Sequence, residues 1–222
     1  MITAVVVGKN EPNLERCLRS LRDQETKINE IIYCDGGSTD DSVEVARSLA
    51  DRVLILGRGI GLDRVEGIRR ATNNLILSTD ADAIYPPNYA SVAKEILQAN
   101  SAGFGPVYPI EDNFWGRLES WTIKLSKSAG AVYEHNTCFR KDLFFKLMLD
   151  RSPWLWLHPR NDIGPILKLL LPKWDERYYC FSRLPTKLFI YATWPVEFAR
   201  NLGLGALATA RNLLQQWRKN LP

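Results

Sequence analysis

Over residues 1–100, short apolar runs alternate with segments of helical periodicity, and this alternation restricts the fold more than any other feature of the chain. Thr3–Val7 is a β-branched run. Pro12 follows where a first helical turn tolerates it. Leu14, Cys17, Leu18 and Leu21 then recur at i, i+3, i+4 and i+7, one apolar helix face. Glu30–Cys34, Arg52–Leu56 and Leu75–Ser78 read as further strands. Between them lie a helix capped from Ser38–Asp41 and buried through Val43, Ala46 and Leu49–Ala50, and a second helix over Leu62–Ala71. Strands that are apolar throughout, joined by helices, predict an α/β fold with a Rossmann-like, mainly parallel sheet covered on both faces. Such sheets bind ligands at the carboxyl ends of their strands. The acid-bearing turns at Asp35, Asp63–Arg64 and Asp80–Asp82 follow predicted strands or open the next helix, so the pattern places them on one edge.

From about Ser101 prolines, tryptophans and short segments replace the strict alternation. The division expected is residues 1–100 as a ligand-binding half, 101–185 as a smaller mixed-sheet half of the same domain, and 186–222 as an amphipathic C-terminal tail. In that tail Phe198, Leu202, Ala206, Leu213 and Trp217 share much of one helical face. With 222 residues, 45% hydrophobic and 24% charged, the chain can bury one sizeable core, which sets disordered and fibrous classes aside. A net charge of +4 without a dense basic run gives nucleic-acid binding no support. The 4 cysteines lie far apart with no CxxC pair, so reduced buried thiols are expected, in a cytoplasmic protein. Met1–Val5 lacks the charged region and cleavage site of a signal peptide. The most apolar stretch, Leu188–Ala210, is interrupted by Glu197 and Arg200. Each costs roughly 2–3 kcal/mol at a bilayer centre, so a spanning helix is not expected.

Asp80-Ala81-Asp82 is the most chemically suggestive motif. In an extended chain residues i and i+2 point to the same side, so both carboxylates can meet one ligand. A departing diphosphate needs neutralising charge. Mn²⁺ or Mg²⁺ supplies it on few protein carboxylates, since phosphate oxygens and waters complete the shell. Two acids in a polar turn are otherwise solvated or cap a helix. The preceding buried strand and the following Tyr85-Pro86-Pro87-Asn88-Tyr89 favour the binding role.

Four segments taken together resemble the inverting glycosyltransferase family 2, of GT-A fold. Val5-Val6-Val7-Gly8-Lys9-Asn10-Glu11 is similar to the family's opening strand and Asn-Glu turn. Glu30–Asp40 is similar to its Glu-Ile-Ile-Val-Val-Asp-Asp-Gly-Ser-Thr-Asp segment, with Gly36 in place of the second Asp. Asp63-Arg64-Val65-Glu66-Gly67 matches its Ala-Arg-Asn-x-Gly motif at Arg64 and Gly67. Leu77–Ala83 matches the metal motif. The resemblance implies a nucleoside diphosphate sugar donor, with Gly8 and Glu11 lining the base pocket and Asp35 accepting a hydrogen bond from the base. Arg64 would lie beside the nucleotide, Asp80 near ribose or metal, and Asp82 on the metal. Asp40 and Asp41 read as helix caps.

Asn161-Asp162-Ile163-Gly164 resembles the segment that carries the family's catalytic base, which makes Asp162 the expected base toward the acceptor hydroxyl. Asn161 departs from the usual Glu, and Asp150, Asp175 and Glu176 stand in reserve. His135, in a strand that resembles one near the acceptor, and Trp156 and His158 are acceptor-side candidates. The mix of aromatic and cationic residues in the tail fits an interfacial helix on anionic lipid, peripheral at the inner face of a membrane, and a lipid-linked or glycan acceptor. It fits equally a helix packed on the domain or on a second copy in a homodimer. Two rivals remain: a nucleotidyltransferase, which should carry a glycine-rich basic loop after the first strand, and a non-enzymatic scaffold of the same fold. Gly57-Arg58-Gly59-Ile60-Gly61 lacks the GxGxxG spacing of a dinucleotide-binding loop.

Overall fold

The computed structural model describes residues 1–110, 117, 134–150, 163, 167 and 169–182. Its elements follow the predicted alternation. They are β1 (Ile2–Gly8), α1 (Leu14–Arg22), β2 (Glu30–Asp35), α2 (Ser42–Leu49), β3 (Arg52–Ile55), α3 (Ile60–Arg70) and β4 (Leu75–Asp80). Then come β5 (Ala83–Ile84), α4 (Tyr89–Ala99), β6 (Ala102–Phe104), β7 (Val107–Pro109), β8 (Asn136–Arg140) and α5 (Lys141–Asp150). Short strands β9 (Lys173–Trp174) and β10 (Cys180–Ser182) follow. Seven strands form one sheet in the order β3-β2-β1-β4-β8-β6-β9, and β5-β10-β7 form a second, small sheet.

The large sheet is parallel from β3 to β4, and β8 runs antiparallel between β4 and β6. Strands from beyond residue 101 thus complete the sheet begun by the first hundred residues. β1 is buried along almost its whole length, and its side chains alternate between two cores. Ala4 and Val6 face a cluster with Leu14, Leu18, Leu21, Ala46 and Tyr89, from α1, α2 and α4. Val5 and Val7 face Val65, Ile68 and Phe144, from α3 and α5. That two-sided burial is the physical reason the strands read as continuous apolar runs. Gly67 lets α3 approach the sheet: a Cβ there would stand 2.5 Å from Cys34 Sγ and 2.6 Å from Val5 Cγ1.

From β1 the chain steps outward to β2 and β3, then returns to the other side of β1 as β4. The order therefore reverses between β1 and β4, the topological switch point at which open α/β sheets bind ligands. Registers place Gly8 beside Asp35 and Val7 beside Asp80, so the first and third acid-bearing turns flank the carboxyl end of β1. The four cysteines are free and buried, as the spacing predicted. No helix among the described residues is long and apolar enough to cross a membrane.

Candidate functional site

β4 ends at Asp80, and Ala81 and Asp82 form a turn before β5. The two carboxylates are therefore brought together by a turn instead of by the extended i, i+2 alternation expected from the motif. Ala81 N–H donates to Val7 O (2.9 Å), which seats the turn on β1. Its methyl lies where a Cβ on Gly8 would be, 2.4 Å away. Gly8 thus allows the turn to close against the strand, and no side chain fits there.

Asp80 is held from several directions. Arg64, fully buried on α3, donates through Nη2 to Asp80 Oδ1 (2.6 Å) and through Nη1 to Ser78 Oγ and Thr79 O (3.1 Å each). Arg64 was expected beside the nucleotide; it lies beneath β4, where its guanidinium fixes the acid. The Asp80 backbone N–H donates to Tyr85 Oη (3.1 Å), and its carbonyl accepts from the Cys17 thiol (3.4 Å). His135 Nδ1 stands 3.8 Å from Asp80 Oδ2. An acceptor-side candidate from the second half of the chain is thereby brought to the donor-side acid.

Asp82 differs. Its Oδ1 is buried and has no hydrogen-bond partner among the described residues. Burial, and then the negative charges of Asp80 and Glu11, push its carboxyl up to about 7, against backbone and Ser182 hydroxyl hydrogen bonds that pull it down. Ser182 reaches this position because β10 pairs antiparallel with β5, Ser182 opposite Ala83. Glu11 was expected to line the base pocket; its charge acts on Asp82, and its Oε1 accepts from Asn13 N–H (2.9 Å) at the start of α1. Three acids thus crowd one edge. An orphaned, half-desolvated carboxylate oxygen among them is a place for a cation. Among the described residues no cluster of three or more His, Cys, Asp or Glu is arranged to hold a metal by itself. A divalent ion here would take further ligands from a phosphate and water, as such ions commonly do.

Asp35 is fully buried, and its carboxylate is engaged internally. Oδ2 accepts from Gly37 and Ser38 N–H (2.9 Å each), and Oδ1 from Ser38 Oγ (2.5 Å) and Tyr33 Oη (3.4 Å). These bonds tie the carboxylate into the turn after β2 and shape its loop. Gly37, at φ 84°, occupies the left-handed region that the turn requires. Asn10, also left-handed at φ 52°, joins this loop to the one after β1. Its N–H donates to Ser38 Oγ (2.9 Å) and its Oδ1 accepts from Thr39 N–H (2.7 Å). Asp40 caps Ser42 N–H (3.1 Å), whereas Asp41 makes no side-chain cap. Asp63 accepts from Arg58 N–H (3.2 Å) and holds the Gly57–Gly59 loop.

Asp162, Trp156 and His158 lie outside the described residues. Of the reserve acids, Asp175 pairs with Arg177 (2.8 Å) and Glu176 accepts from the Trp174 indole (2.7 Å). Ser182 and Asn136 were not named from sequence, and Tyr85 and Asn10 only as parts of longer segments with no role of their own. Only Asn10 carried a local signal, since asparagine tolerates positive φ after a strand. The others act through strands distant in sequence.

The profile described as glycosyl transferase family 2 matches residues 3–152, well over half of the chain. The chain belongs to glycosyl transferase family 2. Solved structures share its GT-A fold. A mannosyltransferase from Pyrobaculum calidifontis, in complex with GDP-Man and Mn²⁺, superposes with a TM-score of 0.64 at 18% identity, over 90% of this chain and 61% of that one. Glucosyl-3-phosphoglycerate synthase from Mycobacterium tuberculosis, with Mn²⁺ and uridine-diphosphate-glucose, gives 0.62 at 16% identity, over 91% and 79%. TarS from S. aureus gives 0.59 at 15% identity; this chain covers 39% of its length.

Proposed function

We propose that this family 2 chain transfers a sugar from a nucleoside diphosphate sugar to an acceptor hydroxyl or lipid phosphate, with inversion, and that the transfer depends on a divalent metal. The observation that carries the reading is the acid group of Glu11, Asp80 and Asp82 at the switch point between β1 and β4, with a buried Asp82 oxygen that has no hydrogen-bond partner among the described residues. Family membership and the nucleotide-sugar complexes of similar folds support it.

Asp80 and Asp82 would hold Mn²⁺ or Mg²⁺. When bound, the ion supplies positive charge to the departing diphosphate. The chain's own residues do the rest. Arg64 keeps the Asp80 carboxylate aimed at the edge, Gly8 allows the turn to sit against β1, and Asp35 and Asn10 shape the loops that would receive base and ribose. Asp162, on the resemblance, takes the proton from the acceptor as its oxygen attacks the anomeric carbon. His135, beside Asp80, would meet the sugar or acceptor side. The tail from residue 186, basic after Glu197, would bring the enzyme to an anionic membrane surface and a lipid-linked acceptor.

The test is a panel of nucleotide sugars assayed for Mn²⁺-dependent thermal shift and for donor hydrolysis or transfer, with wild type and Asp82→Ala. A metal-dependent response to one donor class in wild type, lost in a folded Asp82→Ala, is expected. Full activity in Asp82→Ala refutes the metal assignment, and no response to any donor refutes the transferase reading.

A further inference from the structure

The chain from Asp80 to Ala90 leaves β4, carries Asp82 through the turn before β5, and enters α4. Pro86 and Pro87 in this stretch have no N–H, so the chain here is held through its carbonyls. The donors come from α1 and the residues just past its end. Cys17 Sγ donates to Asp80 O (3.4 Å), and the Glu25 N–H donates to Pro87 O (3.0 Å). Ser20 Oγ accepts from the Tyr85 N–H (3.1 Å) and passes its own proton to Cys17 O (2.7 Å).

Gln24 contributes most. It lies just beyond α1 and is 8% exposed. Its Nε2 donates to Ser20 O and to Pro86 O (2.8 Å each), and its Oε1 accepts from the Ala90 N–H (2.8 Å). Ala90 is the second residue of α4, and its N–H is one of those a helix leaves without an internal partner at its start. Asn88, at the N-cap position, makes no side-chain cap, so the cap on this turn arrives from the end of another helix. The amide fits only one way round. Reversed, its oxygen would face two carbonyls and its NH₂ would face an N–H. A carboxylate could keep the bond from Ala90 but could donate to neither carbonyl.

We infer that Gln24 is a positioning residue for the acid turn: its side-chain amide clamps Pro86 and the first turn of α4 to the end of α1, and thereby fixes the segment that presents Asp82. It acts through that segment and meets no substrate. The acid turn is thus pinned on both sides, at Asp80 by Arg64 and Cys17, and at Pro86 and Ala90 by Gln24. The clamp stands independently of the proposed function; its effect on metal binding rests on that reading.

Amide exchange read by NMR tests the clamp, with each rate divided by that of Val6 within β1, which reports global unfolding. In wild type the Ala90 and Glu25 amides should be protected at least a hundredfold; unprotected amides overturn the clamp before any substitution. Gln24→Met removes all three bonds, and both amides should exchange at least tenfold faster. Gln24→Glu keeps an acceptor for Ala90 and loses the two donated bonds, so Glu25 should exchange at least fivefold faster while Ala90 stays within threefold. Unchanged ratios in whichever variant folds overturn the clamp. Mn²⁺ affinity, titrated with UDP and with GDP present, should weaken at least fivefold in both variants. Wild-type affinity alongside faster Glu25 exchange overturns the positioning role. If wild type itself binds no Mn²⁺ with either nucleotide, the metal-dependent reading fails, and the exchange rates still decide the clamp.

Discussion

Asp82 offers a test in which the sign of the effect is as informative as its size. Its carboxyl is raised from about 3.8 to about 7 by burial and by the neighbouring Asp80 and Glu11 charges. An acid with a raised folded-state pKa binds more protons in the folded than in the unfolded chain between those two values. Stability therefore falls as pH rises from about 4 to about 7, and the penalty is fully present above 7. At about 1.4 kcal/mol per unit, the shift corresponds to an upper limit of about 4 kcal/mol, and relaxation of a partly exposed site reduces it to about 2–4 kcal/mol. Asp82→Asn removes the charge at nearly constant shape. It should be close to wild type at pH 4, where both side chains are neutral, and more stable at pH 8, with Tm raised by roughly 5–12 °C for a chain of this size. Urea unfolding and thermal melts at pH 4, 6 and 8, in metal-free buffer, measure this. A variant no more stable at pH 8, or one whose advantage does not grow with pH, would refute the placement of Asp82 as an uncompensated buried charge. Mn²⁺ with nucleoside diphosphate should stabilise wild type at pH 8 and leave Asp82→Asn unmoved.

Arg64→Met leaves Asp80 without its buried 2.6 Å partner and strips the bonds to Ser78 and Thr79; about 3 kcal/mol of stability should be lost, read by urea unfolding, and a loss under about 1 kcal/mol would show that the pair is not structural. Gly8→Ala drives a methyl to within 2.4 Å of Ala81 Cβ; about 1–3 kcal/mol should be lost together with any metal-dependent donor binding, checked by melting and calorimetric titration. Glu30, although burial alone would raise its carboxyl, is held below its ordinary value by hydrogen bonds from Thr72 N–H, Thr3, the Thr72 hydroxyl and Arg52. Its stabilisation is thus present above the unfolded-state value near 4.5 and lost as pH falls through the lower folded value, so Glu30→Gln should flatten the acid limb of the stability curve.

The sheet was legible in the sequence because two-sided burial forces continuous apolar strands, and because α1 keeps Leu14, Cys17, Leu18 and Leu21 on one face. The boundaries shifted by a residue or two where acids ended strands: β2 and β4 run on to Asp35 and Asp80, since each backbone still pairs with β1 although its side chain is polar. Local composition thus determined the elements, their order and the edge on which the acids gather. It also carried the family's motifs.

What each acid does was decided only by tertiary structure. Asp35 and Asp82 are acids at strand ends and Arg64 is a charged residue within α3, and nothing in their immediate sequence foretells these different fates. Asp35 is saturated because Gly37 and Ser38 fold back onto it. Arg64 is buried because Gly67 draws α3 down onto the sheet, toward Asp80. Asp82 keeps one oxygen without a partner among the described residues, while β10, from far along the chain, brings the Ser182 hydroxyl to the carboxylate. Hydrogen-bond supply and desolvation depend on which distant strands arrive beside a side chain. Periodicity along the chain cannot encode that.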